Sequence, residues 1–365
     1  MTRARAAALL VALAGASGCC RCAPTPTLTV RSGASRAPPP APALGPVAVR
    51  AFHLGDFGDA TCQQAAVAAA LRTAHLRAPF DLGLAVGDLV YDCGPDANRP
   101  DAAACTFASD ANTVAPGFVP PADPAFAVHD RPLAFLGATP VHAVLGNHDV
   151  GFGGRCGLGR DPAPAARAKA CLSVAHRAPQ WHMPGRHYAV DAGPARLIVI
   201  DSNLVVGDYG GFTLEDEVAF VASQAEGCDA RTCFLVGHHP PVTAGAHRRD
   251  ATPEYLSRMA RLLGAGRGRI RAYLAGHDHD LQHLRAPDGL DVLVSGAGAR
   301  GRWRETLEPI SVPGAQLLFG SLRWGYGVLE VSSAGWRYRF EDVHGQALHC
   351  CAAVGVGSCE PASCN

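Results

Sequence analysis

The chain has 365 residues, 48% of them apolar, which is enough to bury a full core in one large domain or two small ones. Thirty-two basic and thirty-two acidic residues cancel. That balance excludes a global field suited to nucleic acid, an anionic bilayer or a polyanionic substrate, so any electrostatics must be local.

Residues 1–18 carry two arginines, an apolar run and then small residues, the layout of an export signal. The run is too short to span a bilayer as a permanent helix. Ala16-Ser17-Gly18-Cys19 matches the bacterial lipobox, which predicts cleavage before Cys19 and a lipid on that cysteine. Residues 19–45, rich in Pro, Ala, Ser and Thr and without periodicity, then read as a lipid-anchored flexible tether. The expected location is outside the bacterial cytoplasm, anchored to a membrane and facing the periplasm or the exterior. Fourteen cysteines fit that oxidising setting. Cys228 and Cys233 are close enough to bridge a small loop. Cys93 with Cys105, and Cys156 with Cys171, are further candidate pairs, and Cys350, Cys351, Cys359 and Cys364 crowd the C-terminal stretch. The eleven cysteines beyond the tether are odd in number, leaving one to pair with Cys20 or Cys22 or to stay free.

Residues 46–345 alternate short apolar runs with helical patterns and read as one domain, followed by a Cys-rich tail at 346–365. Buried strands are predicted over Val47–Leu54, Leu82–Val86, Val141–Leu145, Leu197–Ile200, Cys233–Val236, Ala272–Ala275 and Val292–Val294. Later strand-like runs fall at Leu317–Phe319 and Gly327–Val331. Thr61 and Gln64 have capping-box spacing before an Ala-rich run ending near Leu76. Thr213 precedes a helix over Leu214–Ala225. Thr252, Pro253 and Glu254 open another that Gly264 can close. This alternation predicts an α/β protein with helices packed outside sheets. Cys93–Pro140 and Gly151–Pro184 read as irregular insertions, a kind of segment that often carries function.

Five strand candidates end alike, in a glycine followed by a potential metal ligand: Gly55-Asp56, Gly87-Asp88, Gly146-Asn147, Gly237-His238 and Gly276-His277. Glycine lets the chain turn sharply at the strand exit. Ligands in α/β folds gather beyond the carboxyl ends of strands, so these side chains can converge despite their separation in sequence. Two carboxylates can bridge a pair of cations, neutral imidazoles add further ligands, and the Asn147 amide coordinates without adding charge. Two metals roughly 3.5–4 Å apart polarise a phosphoryl oxygen, generate hydroxide and stabilise the leaving oxygen, so no serine or cysteine nucleophile is required.

These residues resemble the calcineurin-like metallophosphoesterases, and within them the small, tartrate-resistant type of purple acid phosphatase. The pattern GDxG, GDxxY, GNH, GHxP and GHxH is matched by Gly55–Gly58, Gly87–Tyr91, Gly146–Asp149, Gly237–Pro240 and Gly276–His279, and similarity continues through Leu281-Gln282 and Val292–Gly298. Tyr91 decides between subfamilies: the related Ser/Thr protein phosphatases carry aspartate there, whereas GDLVYDCG has a tyrosine able to bind ferric iron as phenolate. The resemblance implies a four-layer α/β/β/α sandwich. It further implies Fe(III) held by Asp56, Asp88, Tyr91 and His279, with Asp88 bridging to a divalent zinc, iron or manganese completed by Asn147, His238 and His277. His148 and His247 are the implied substrate-facing histidines, suited to grip phosphate and protonate the leaving group; His239 stands behind them. The implied activity is acid hydrolysis of phosphate monoesters, with no nucleic-acid partner and a membrane reached through the lipid. A phosphodiesterase acting on nucleotides or lipids, and a non-catalytic surface-binding lipoprotein, are the alternatives.

Overall fold

The computed structural model describes residues 29–31, 38–153, 156, 163–229, 231–301, 307, 310 and 312–364. The predicted signal, Cys19, Cys20 and Cys22 lie outside the described residues. The apolar runs form two mixed eight-stranded sheets. One contains, from edge to edge, β1 (Thr29–Arg31), β12 (Gln316–Ser321), β10 (Leu281–Arg285), β11 (Asp291–Ser295), β9 (Ile270–Ala275), β8 (Thr232–Val236), β7 (Ala195–Val199) and β6 (Tyr188–Ala192). The other contains β16 (Glu360–Ala362), β15 (Ala347–Val354), β14 (Gly335–Asp342), β13 (Gly325–Ser332), β2 (Val49–Leu54), β3 (Leu82–Val86), β4 (Val141–Val144) and β5 (Trp181–His182). Their inner faces meet through fully buried aromatics, such as Phe234 edge-on to Trp336 at 5.2 Å. This is the four-layer arrangement that the resemblance implies.

Helices cover the outer faces. Helix α1 (Cys62–Arg77) turns Val67, Leu71 and Ala74 inward. Thr61 caps it by accepting from Gln64 N at 3.1 Å. The Gln64 amide leaves the capping-box role and donates to the carbonyls of Phe57 and Val128, both at 2.7 Å, tying the helix start to the first insertion. The short helix α2 (Ala127–Leu133) and helix α3 (Ala163–Ala175) belong to the two insertions. Helix α4 (Leu214–Ala225) opens on a complete capping box between Thr213 and Asp216. Helix α5 (Pro253–Ala265) runs to Gly266 rather than stopping at Gly264. Together α4 and α5 bury Leu214, Val221, Met259 and Leu262 against the outer face of β7–β9 and β11.

Several expectations change. The insertions are not irregular throughout, because α2, α3 and β5 lie within them. Their cysteines pair crosswise, Cys93–Cys156 and Cys105–Cys171, and not as Cys93–Cys105 and Cys156–Cys171. The insertions leave neighbouring parallel strands, β3 and β4, and fold across one another, so cysteines distant in sequence reach bonding distance. Cys228–Cys233 forms as expected, the tail pairs Cys350–Cys364 and Cys351–Cys359, and Cys62 is disulfide-bonded as well. The stretch expected as a Cys-rich tail adds strands β15 and β16 to a sheet, and β1 arises within the stretch expected as a tether. Among the described residues no helix is long and apolar enough to cross a membrane.

Candidate metal centre

Parallel strands β2, β3 and β4 of one sheet, and β8 and β9 of the other, end at the same edge of the sandwich. Ser295 joins the two sheets there, since its hydroxyl donates to His53 O at 2.9 Å and its carbonyl accepts from Gly55 N at 2.8 Å. The five glycine–ligand exits therefore converge. Gly87 has φ +89°, and a Cβ on it would lie 2.4 Å from His238 Nδ1; a Cβ on Gly146 would lie 2.2 Å from Asp88 Oδ1. Neither position tolerates a side chain.

All seven expected ligands come together. Tyr91 OH lies 3.0 Å from Asp56 Oδ1 and 3.1 Å from His279 Nε2, with His279 Nε2 3.4 Å from Asp56 Oδ1. Beside this group, Asn147 Oδ1 is 2.9 Å from His238 Nε2 and 3.1 Å from His277 Nδ1, and the two imidazole nitrogens are 3.2 Å apart. Asp88 connects the halves, its Oδ1 lying 3.4 Å from His238 Nε2. His238 Nδ1 donates to Val86 O at 2.8 Å, which leaves Nε2 of the neutral ring as a lone pair. That lone pair faces Asn147 Oδ1, Asp88 Oδ1 and His277 Nδ1. Acceptors pointed at one another in a buried space repel, and a cation at their meeting point resolves the conflict. The donor set of carboxylates, imidazoles, an amide oxygen and a phenol fits a pair of transition-metal ions.

Without that charge the electrostatics are unfavourable. Burial pushes the Asp56 carboxyl up to about 7, with Asp88 adding to the effect against the pull of His238. Burial, Asp56 and Asp88 likewise hold the Tyr91 phenol well above its ordinary range. Three of the four non-glycine residues with positive φ among the described residues are Asp56 (56°), Asp88 (54°) and His277 (72°). Strain of this kind, of order 1–3 kcal/mol each, concentrates at functional sites.

His148 packs on Tyr91 with ring centroids 4.4 Å apart, and its Nε2 is 3.9 Å from Asp88 Oδ2. The His247 ring lies 3.9 Å from that of His277, with Nδ1 2.7 Å from Asp250 Oδ2. His239 is buried, its Nδ1 3.0 Å from the Ser202 hydroxyl. Four further residues shape the site. Asp149 is wholly buried and accepts from the N–H groups of Leu89, Val90 and Gly146 at 2.8–2.9 Å, binding two ligand loops together. Ser202 Oγ accepts from His238 N and His239 N, both at 2.9 Å. Asp278 accepts from His247 N at 3.0 Å. Arg300 lies 3.8 Å from the Tyr91 ring centroid and pairs with Asp59 and Asp92. Asp149 and Asp278 stand inside GNHD and GHDH and were within reach of motif reading. Ser202 and Arg300 carry no local signal. Two clefts open at the centre and share Asn147, His148, His247 and His277. One, of about 470 Å³, is lined by Arg300 and Trp324, and the other, of about 540 Å³, by Val205, Val242 and Tyr255.

Residues 49–281 match the model of the calcineurin-like phosphoesterase family. The chain belongs to this family. Among curated phosphoesterases it is similar to purple acid phosphatase 7 of Arabidopsis thaliana, 30% identical over 116 residues that cover 32% of this chain and 33% of the relative. Purple acid phosphatase 17 of the same plant is 25% identical over 227 residues, 57% of this chain and 61% of the relative. Tartrate-resistant acid phosphatase type 5 of Sus scrofa is 24% identical over 217 residues, 54% and 56%. The chain thus spans less than two thirds of each of these relatives. Two solved structures share the phosphoesterase fold. Purple acid phosphatase PPD1 from yellow lupin (Lupinus luteus) seeds superposes with a TM-score of 0.57 at 14% identity, covering 89% of this chain and 58% of that one. GAP50, the anchor in the inner membrane complex of Plasmodium, gives 0.58 at 18% identity, covering 84% and 88%.

Asp149→Asn replaces a three-bond carboxylate with an amide whose NH₂ must face backbone N–H groups. Urea unfolding is expected to show a loss of about 1–3 kcal/mol, the cost of buried donors left unpaired. Unchanged stability would mean that the Leu89 and Gly146 loops are held by other contacts.

Proposed function

We propose that the chain is a phosphomonoesterase working at a dinuclear centre, with Asp56, Asp88, Tyr91 and His279 as ligands of Fe(III). Asp88 would be shared with a divalent zinc, iron or manganese ion that Asn147, His238 and His277 would also hold. The observation carrying this reading is the cation-deficient meeting of seven lone-pair donors from both sheets, with a phenol among them. When bound, the metals supply Lewis acidity and an activated water.

The chain's own groups supply the rest. His148 Nδ1 donates to Asp92 O, which fixes the ring and leaves Nε2 facing the cleft to hold or deliver a proton. His247, anchored through Asp250, stands across from it and is suited to gripping a phosphate oxygen. Arg300, held by Asp59 and Asp92, lines the rim of the same cleft, where a dianionic ester enters. The wider apolar cleft next to the centre has room for an organic group, including the second ester group of a phosphodiester. Diesters therefore belong in the same assay panel.

Metal analysis of the purified protein, with a panel of monoesters and diesters across pH, tests this function directly. A tyrosinate on Fe(III) gives the wild type a visible charge-transfer band that Tyr91→Phe removes; a colourless, fully metallated and active wild type would sink the ferric assignment. His148→Ala is expected to keep both metals and lose about 10²–10⁴-fold in turnover on alkyl phosphates, with a smaller loss on nitrophenyl phosphate, whose leaving group scarcely needs a proton. Equal losses on both would make His148 a phosphate-positioning residue. Export and anchoring rest on the sequence alone, together with disulfides that fit an oxidising compartment. Cys19→Ala should move the protein from the detergent phase to the soluble fraction, and unchanged partitioning would count against the lipid.

A further inference from the structure

A second group of ligating side chains lies away from the candidate centre, where the two insertions meet. Helix α2 supplies His129 and Asp130, and His176 follows the last residue of α3. The Asp130 carboxylate sits between the two rings. His129 Nδ1 is 3.1 Å from Oδ1, and His176 Nε2 is 3.1 Å from Oδ1 and 3.0 Å from Oδ2. One donor atom from each residue lies within 4.8 Å of the others. Both rings are held flat against aromatics: Trp181 stacks on His129 with centroids 4.3 Å apart and planes 17° apart, and Phe126 stacks on His176 at 4.0 Å and 18°. Gln180 donates to Asp130 O at 3.2 Å and steadies the carboxylate-bearing turn.

His129 is the telling member. Only 1% of it is exposed, yet neither ring nitrogen has a hydrogen-bond partner of acceptable geometry. Leaving such a group unsatisfied inside a protein is costly, and native structures rarely do so without a reason. Protonation answers the problem poorly, because burial, with the neighbouring His176, holds the His129 imidazole below its ordinary basicity even beside Asp130. A cation shared by the three residues gives the His129 Nδ1 lone pair a partner, balances the Asp130 charge and takes His176 through Nε2, leaving the Nε2–H of His129 as the ring's one unpartnered nitrogen. The Asp130 side chain is 25% exposed, which gives an ion an entry path and leaves a position for water. Two neutral imidazoles and one carboxylate suit zinc and similar late first-row divalent ions, and not calcium or magnesium.

We propose that His129, Asp130 and His176 form a separate single-ion site for a zinc-like divalent cation, which clips α2 to the end of α3. The location gives the ion a structural task. Cys93–Cys156 and Cys105–Cys171 already join the same two insertions, and the ion adds a third tie at their outer end.

Equilibrium dialysis of the full chain against Zn²⁺ alone, followed by metal analysis, tests the site. Wild type is expected to carry one more equivalent than His176→Gln or Asp130→Asn, both of which should hydrolyse phosphate esters like wild type. Asp88→Asn should lose metal from the candidate centre and keep this equivalent until His176→Gln is added to it. A second measurement needs no variant: Zn²⁺ should slow carbethoxylation of His176 in the wild type by about 10-fold or more, read by peptide mass spectrometry. Equal zinc content in wild type and both cluster variants, or carbethoxylation of His176 that Zn²⁺ does not slow, would overturn the proposal and leave a carboxylate–imidazole ion pair in its place.

Discussion

The constraint that organises the candidate edge is the gathering of seven donor side chains into one buried space. Asp56 and Asp88, a phenol, an amide oxygen and three imidazoles are directed there; Tyr91 OH donates to Asp56 Oδ1 at 3.0 Å, but Asn147 Oδ1 and Asp88 Oδ1 both face the lone pair of His238 Nε2, a conflict that a cation between them would relieve. The two carboxylates also restrain the backbones of neighbouring loops. Asp56 Oδ2 accepts from His277 N at 2.8 Å, and Asp88 Oδ1 accepts from His148 N at 3.0 Å. Asp56, Asp88 and His277 adopt left-handed backbone conformations that cost about 1–3 kcal/mol each. These cross-loop bonds keep them in place, so cation binding and the stability of this edge are coupled.

The two sheets matter because neither contains a complete site. Asp56, Asp88, Tyr91 and Asn147 come from the strand ends of one sheet, and His238, His277 and His279 from the other. Registry between the sheets is set by packing such as Phe234 on Trp336 and, at the edge itself, by the Ser295 bonds to His53 and Gly55. On the outer side, Asp201 Oδ2 accepts two bonds from the fully buried Arg186 at 2.9–3.0 Å, and the next residue, Ser202, holds the backbone of His238 and His239. Breaking such a buried pair from one side typically costs about 3–5 kcal/mol, so the pair makes a firm base for the imidazole loop.

The parts of the fold legible in the sequence were those with local, repeated signals. Apolar runs of four to six residues ending in glycine and a ligand marked β2, β3, β4, β8 and β9, because these strands are buried on both faces over most of their length and stay mainly apolar despite Arg50 and His53 in β2, His142 in β4 and Arg271 in β9. Caps at Thr61, Thr213 and Thr252 marked three helix starts. Helix α3 escaped because its sequence, APAARAKACLSVA, offers little contrast between faces. Strand β6 escaped because Asp191 interrupts a short half-buried run. Strands β15 and β16 were hidden by clustered cysteines that suggested a tail, although β15 pairs with β14, β16 pairs with β15, and two disulfides tie β15 to the stretch around β16. Crosswise disulfides and the stacking of Arg300 on Tyr91 depend on which chain segments pass each other in space, and neither has a local signature.

The environment of Tyr91 links the insertions to the chemistry. Its ring is packed against the Arg300 guanidinium at 3.8 Å and the His148 imidazole at 4.4 Å. Asp92, the next residue, offers its carbonyl to His148 Nδ1 and its carboxylate to Arg300 at 2.6 Å, so one residue positions both. Cys93 then crosses to Cys156 in the second insertion, which prevents this short segment from moving away from the GNHD loop. A phenol held so firmly loses little further freedom on binding a metal, and the guanidinium against its ring works against the burial, Asp56 and Asp88 that keep the phenol protonated. The crosswise disulfide, Asp92 and Arg300 therefore act through Tyr91 and His148, and the insertions belong to the site although they contribute none of its seven converging ligands.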